Sequence, residues 1–159
     1  MPKFSVIEIV LMREALKQAQ IALEKDEVPV GAVIALDNKV IAKAHNQVEM
    51  LKDPTAHAEM IAITQATNSV SSKWLEKCSL YVTVEPCSMC AGALVLSRIK
   101  KIYFGASDPK AGACGSVFDI ARSAQLNHRI DVRRGLLEDE CARIISEFFK
   151  VRRVRNKII

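Results

Sequence analysis

Two short segments, His57-Ala58-Glu59 and Pro86-Cys87-Ser88-Met89-Cys90, concentrate the residue types able to do chemistry. Two thiolates and an imidazole form a ligand set suited to zinc. Cys87 and Cys90 lie three apart, so one helical turn points both sulfurs the same way. Each segment falls at the expected start of a helix, and a helix N-terminus and a metal both favour the thiolate form. Three protein ligands leave a fourth coordination position open, which distinguishes a catalytic zinc site from a closed structural one. Glu59 stands two residues from His57 and projects from a different side of a helix. It is therefore expected to contact a water at the open position rather than to bind the ion.

A lone Cys-x-x-Cys is also compatible with a redox pair or half of a structural zinc site. A redox pair leaves His-x-Glu without a purpose. A structural site needs a fourth ligand, and the other Cys/His candidates are Cys78, Cys114, Cys141, His45 and His128, none paired with another at ligand spacing. His-x-Glu followed by Pro-Cys-x-x-Cys is the pattern of zinc-dependent nucleobase deamination. Zinc lowers the pKa of a bound water towards neutrality. Glu59 would take the proton, the hydroxide would attack an amino-bearing ring carbon, and Glu59 would return protons to the ring nitrogen and the departing ammonia.

These residues need a scaffold. Residues 5–24 carry a helical period, with Ile7, Leu11, Ala15, Ala19 and Ala22 on one face. Val28–Leu36 reads as a buried strand, Asp37-Asn38-Lys39 as a turn and Val40–Ala44 as a second strand, giving an antiparallel hairpin. A helix is expected over about 55–68, capped by Asp53 or Thr55, with Pro54 tolerated near its start. Ser79–Val84 is a strand, 88–97 a helix and Ile99–Phe104 another strand. The glycine-rich stretch 105–116 reads as a loop, with a short helix near 117–123, a strand over Ile130–Arg133 and a last helix over 137–153. That last helix turns Leu137, Cys141, Ile144, Ile145 and Phe148 inward, and its acidic start and basic end suit the helix dipole. The order of elements predicts an α/β layered domain with a mixed sheet of about five strands.

With 159 residues the chain is long enough for one domain, 1–159, with a core that needs no disulfides. No apolar run is long enough to span a bilayer. The N-terminus lacks the pattern of a secretion signal, so a soluble cytoplasmic protein is expected. An odd count of five cysteines argues against a disulfide framework. A net charge of +5 permits a nucleic-acid partner without requiring one.

Further blocks extend the pattern: Glu27-Val28-Pro29-Val30-Gly31-Ala32, Asp53–Glu59, Leu80–Cys87, Cys90-Ala91-Gly92-Ala93 and Asn127-His128-Arg129. Together they resemble the bacterial tRNA-specific adenosine deaminases of the cytidine/deoxycytidylate deaminase superfamily, from about residue 5 to residue 153. The resemblance implies a three-layer α/β/α sandwich of cytidine-deaminase type and one zinc per subunit held by His57, Cys87 and Cys90. It implies conversion of the wobble adenosine of a tRNA anticodon loop to inosine, and a homodimer with its active sites near the interface. It also implies contact of Asn46 with the target nucleoside, a base pocket lined by Val30, Ala58 and the strand end at Val84, and Asp108 near the ribose and backbone. Asn46 and Asp108 are otherwise turn residues, and packing alone accounts equally for the valines.

The C-terminus is crowded with Lys150, Arg152, Arg153, Arg155 and Lys157. A solvated helix end is the usual reading of such a run. The resemblance implies that this helix helps to hold the anticodon stem-loop, with Lys150, Arg152 and Arg153 as candidate RNA contacts. Cys114 departs from the family pattern, where a smaller residue is usual, and Gln47, Met50 and Leu51 make the loop before Asp53 more apolar. Two other readings share the zinc core: a deaminase of free bases or nucleosides, and a non-enzymatic zinc module that binds RNA.

Overall fold

A capping box starts the first helix in the computed structural model, which describes residues 3–158. The Ser5 hydroxyl accepts from the Glu8 N–H, and the Glu8 carboxylate accepts from the Ser5 N–H. Helix α1 runs Val6–Glu24 and buries Leu11, Met12, Ala15, Ala19 and Ala22. Ile7, on the same expected face, stays exposed in the first turn of the helix. Strands β1 (Gly31–Leu36) and β2 (Lys39–His45) form the antiparallel hairpin. Its two-residue turn, Asp37-Asn38, takes positive φ at both positions, as a twist-matched hairpin requires. Pro29 lacks an N–H to give to the ladder, and β1 starts at Gly31 rather than Val28. A Cβ at Gly31 would lie 2.0 Å from the Ala15 carbonyl oxygen, so α1 can press onto the start of β1 only over glycine.

The one-turn helix α2 (Val48–Leu51) follows, then α3 (Ala58–Val70), β3 (Cys78–Val84), α4 (Ser88–Leu96), β4 (Lys101–Ala106), β5 (Asp131–Arg134) and α5 (Glu138–Ile158). The sheet order is β2-β1-β3-β4-β5, with β1 antiparallel to β2 and β3, and β3, β4 and β5 parallel. Residues of opposite parity along β1 feed two cores. Ala32 and Ile34 join Ala58, Ala62 and Ala66 of α3 and Ala91, Leu94 and Val95 of α4. Val33 and Ala35 join Leu11, Met12 and Ala15 of α1 and Cys141 of α5. The result is the expected three-layer α/β/α sandwich on a five-stranded mixed sheet.

Three local expectations need correction. Helix α3 begins at Ala58, not near 55, with His57 in the N-cap position and no side-chain cap. Asp53 instead binds the N–H and hydroxyl of Thr55 in an Asx turn of its own. No helix forms over 117–123. The Gly115 N–H bonds the Phe118 carbonyl, and Cys114 bridges to Asp119, so the backbone there is spent on an irregular loop. Helix α5 continues past 153, and Arg155 near its end reaches Asp26 after α1 at 3.1 Å.

Candidate active site

The amino ends of α3 and α4 meet beyond the end of β3. His57 is the N-cap residue of α3 and Cys87 that of α4, both with extended backbone, and Cys90 lies one turn into α4. Strand β3 delivers Cys87 through Glu85-Pro86, while Ala58, Ala62 and Ala66 let α3 lie close to the sheet. The Nδ1 of His57 lies 3.6 Å from the Cys87 sulfur and 3.5 Å from the Cys90 sulfur.

That triangle fits zinc. Bonds of about 2.3 Å to sulfur and about 2.0–2.1 Å to nitrogen at tetrahedral angles separate N and S by about 3.5–3.6 Å. Among the described residues, His57, Cys87 and Cys90 are the one group of three such donors close enough to share an ion. Cys78, Cys114 and Cys141 are buried and unpaired with one another. His128 bonds the Ile99 carbonyl oxygen at 2.7 Å, which ties the Asn127-His128-Arg129 block to the start of β4.

The electrostatics around the triangle are those of a thiolate site. The Cys87 thiol is drawn down to about 3, first by a hydrogen bond from Cys90 and then by His57, although burial works the other way. His57 is correspondingly raised, chiefly by its bond to Cys87. Cys90 is pushed up because one proton is left between the two sulfurs and burial favours its retention. Two helix amino ends add positive potential.

Glu59 is 4% exposed, and its Oε1 is buried with no hydrogen-bond partner. Burial pushes its carboxyl upward, and the cluster of His57, Cys87 and Cys90 acts directly on it. A buried carboxylate oxygen without a partner is costly, of order 1–3 kcal/mol, so it calls for a group that is bound only in the working protein. Glu59 sits outside the three-donor group.

A cleft of about 920 Å³ opens over this cluster. His57, Glu59 and Cys87 line its floor, and Val30, Asn46, Val84 and Asp108 line its walls. Asn46 is 7% exposed, and among the described residues its side-chain amide has no hydrogen bond within the protein. Lys150 and Arg153 stand on the rim, where α5 also contributes Ile145 and Phe149. Ala58 lies in the core, and Arg152 turns its guanidinium over the Phe148 ring at 4.9 Å, away from the cleft lining.

Sequence reasoning assigned no role to two buried carboxylates on the same cleft. Glu27 accepts from the N–H groups of Glu49 and Met50 and so holds the start of α2, which brings Val48 to the wall. Glu85 collects donors from the 107–116 loop. Its carboxyl is lowered because the Ser116 hydroxyl and the N–H groups of Asp108, Ser116 and Cys114 outweigh the opposing burial. Both residues stood in the blocks that matched the family. A buried acid directly before Pro-Cys or Val-Pro was the available signal.

A family model described as MafB19-like deaminase matches residues 8–153. The tRNA-specific adenosine deaminase of Aquifex aeolicus is 53% identical over 148 residues, 93% of this chain and 96% of that protein. The protein of the same name from Bacillus subtilis is 46% identical, covering 92% of this chain and 91% of its own. A structure solved in work on A-to-I editing by tRNA:A34 deaminases superposes with a TM-score of 0.82 at 44% identity, covering 85% of this chain and 98% of that one.

Proposed function

This chain belongs to the tRNA-specific adenosine deaminases within the MafB19-like deaminase family, and on that premise we propose that it converts the wobble adenosine of a tRNA anticodon loop to inosine by zinc-dependent hydrolysis. The observation that carries this reading is the conjunction at the cleft floor of a three-donor triangle of zinc dimensions and a buried, unpartnered Glu59 oxygen.

Residues His57, Cys87 and Cys90 would hold one zinc per subunit, and the ion supplies Lewis-acid activation of water at neutral pH. The chain does the rest. Glu59 accepts a proton from the attacking water and passes it to the adenine ring nitrogen. A second proton leaves through Glu59 on the departing amino group, so that water and the amidine carbon become a carbonyl and ammonia. Val30 and Val84 flank the base with apolar surface and limit water to the reacting one. Asn46, with its amide free, orients the nucleoside, and Asp108 faces the ribose and backbone. Lys150 and Arg153 stand where they can meet phosphates of the stem-loop. Adenine within a duplex is out of reach of such a floor, so the base must come from a loop where it can be splayed out.

Residues 1–159 act as one deaminase domain in this reading, and the substrate places the reaction in the cytoplasm. A homodimer is supported by α4. Its sequence, Ser88–Leu96, carries no charge, yet Leu96 is 80% exposed and Met89, Gly92 and Ala93 are incompletely covered. An uncharged, partly bare helix next to the zinc ligands suits a second copy of the chain.

Incubation of the zinc-loaded protein with an anticodon stem-loop bearing a wobble adenosine should yield inosine by nucleoside mass spectrometry. Absence of inosine, or turnover of free guanine or cytidine with none on RNA, overturns the reading.

A further inference from the structure

The 3%-exposed carboxylate of Glu85 takes no part in the chemistry above, yet it is the hub of the segment that follows β4. Residues 107–116 form neither helix nor strand. Three of their backbone donors and one hydroxyl converge on this one side chain, and Asp108, held there by its own N–H, accepts in turn from the N–H groups of Lys110 and Ala111. Oε1 accepts from the Asp108 N–H at 3.1 Å and from the Ser116 hydroxyl. Oε2 accepts from the Cys114 N–H at 3.0 Å and the Ser116 N–H at 3.1 Å. Four donors match the roughly four lone-pair sites of an ionised carboxylate.

Two further observations tie this hub to the site. A Cβ on Gly112 would lie 2.4 Å from Oε2 of Glu85 and 2.6 Å from the Asp108 carbonyl oxygen, so the loop wraps the carboxylate at glycine distance. The Ala113 N–H also bonds the Pro86 carbonyl at 2.8 Å, so the loop is fastened to the same three residues that end in the ligand Cys87. The loop members Ser107, Asp108, Pro109 and Lys110 line the cleft.

We propose that Glu85 is a positioning residue: its buried carboxylate replaces secondary structure as the frame of the 107–116 loop and fixes Asp108 and Lys110 at the cleft wall. What those residues then meet rests on the reading of the substrate as an RNA loop. The carboxylate is required rather than any polar group of that shape. In Glu85→Gln the amide NH2 must face at least one of the loop's own donors, which leaves buried N–H groups without acceptors.

The test uses zinc-loaded full-length protein. In Glu85→Gln, amide exchange at Asp108, Cys114 and Ser116 should quicken about tenfold or more, the size of one or two lost hydrogen bonds, with α3 and α4 unchanged. Zinc content should stay at the wild-type level. KM for the stem-loop should rise about tenfold while kcat stays within about threefold, a split expected for lost substrate placement. In an Asp108→Ala, Lys110→Ala background the same substitution should change KM by less than about twofold, because both groups being placed are gone. Ser116→Ala, which deletes one donor, should show a weaker form of the exchange effect if Glu85→Gln fails to fold. Unaltered exchange in both variants overturns the proposal. So does a kcat loss at constant KM, which would assign Glu85 to the metal side. If the wild type makes no inosine, the deamination reading falls, and the exchange measurements still decide the role of Glu85.

Discussion

Replacing Glu59 by Gln separates proton transfer from everything else at the cleft floor. The substitution preserves side-chain shape and leaves the ligand atoms on His57, Cys87 and Cys90 in place. Each proton transfer by a placed side chain contributes about 10²–10⁴-fold. In the proposed reaction Glu59 serves both the water and the ring nitrogen, and its unpaired Oε1 is the one carboxylate oxygen among the described residues that is buried at this floor without a partner. The loss in kcat should therefore reach at least about 10⁴-fold, or about 5.4 kcal/mol at 1.36 kcal/mol per decade. KM for the stem-loop should move less than about threefold, because the buried Glu59 stands at the cleft floor, away from Lys150 and Arg153 of α5. The apoprotein should lose no thermal stability, since the substitution removes a buried charge. The assay is single-turnover inosine formation beside metal analysis of the same sample. Activity within about tenfold of wild type with zinc bound would refute the proton-transfer role. Loss of zinc with the fold intact would show that Glu59 is a ligand, and the open-site reasoning would fail with it.

Removal of the α1 cap by Ser5→Ala should cost about 1 kcal/mol, or about 2–4 °C in melting temperature for a chain of this size. Glu8 is lowered from the usual 4.5, because the Ser5 bonds outweigh the burial that raises it. Its contribution is thus complete above that ordinary value and disappears as pH falls through the lower folded one, so the gap between variant and wild type should narrow in acid melts to the share of the Glu8 N–H bond to the Ser5 hydroxyl, which does not titrate. Lys150→Ala with Arg153→Ala should weaken stem-loop binding and reduce the slope of log K against log salt by about 0.7 per lost phosphate contact. An unchanged slope would remove α5 from the RNA surface. In the metal-free protein, iodoacetamide at neutral pH should modify Cys87, while Cys114 and Cys141, buried and pushed up to about 12, stay unlabelled. Zinc should protect Cys87, and labelling of Cys114 before Cys87 would contradict the assigned electrostatics.

Amino-acid order alone was enough for features whose cause is local. Cys87 and Cys90 share a turn because three residues separate them, and the two core faces of β1 follow from a period of two. The helical stripe of α1 and the Asp37-Asn38 turn are equally short-range, so an α/β layered domain with a mixed sheet was legible in the order of elements, while the three-layer arrangement was implied only by the family resemblance. Tertiary structure decided what depends on contacts across many residues. It brought His57 to sulfurs 30 and 33 positions away. It made His57 a cap rather than an interior helix residue, and it buried Glu59 against the same cluster. It turned Glu27 and Glu85 into anchors for segments 22 to 31 positions distant, and it replaced the expected helix at 117–123 with a loop. A single side chain bonded to remote backbone leaves no periodic trace in a sequence. Periodicity reports only which face of an element is dry, and the partner that makes it dry is chosen by packing.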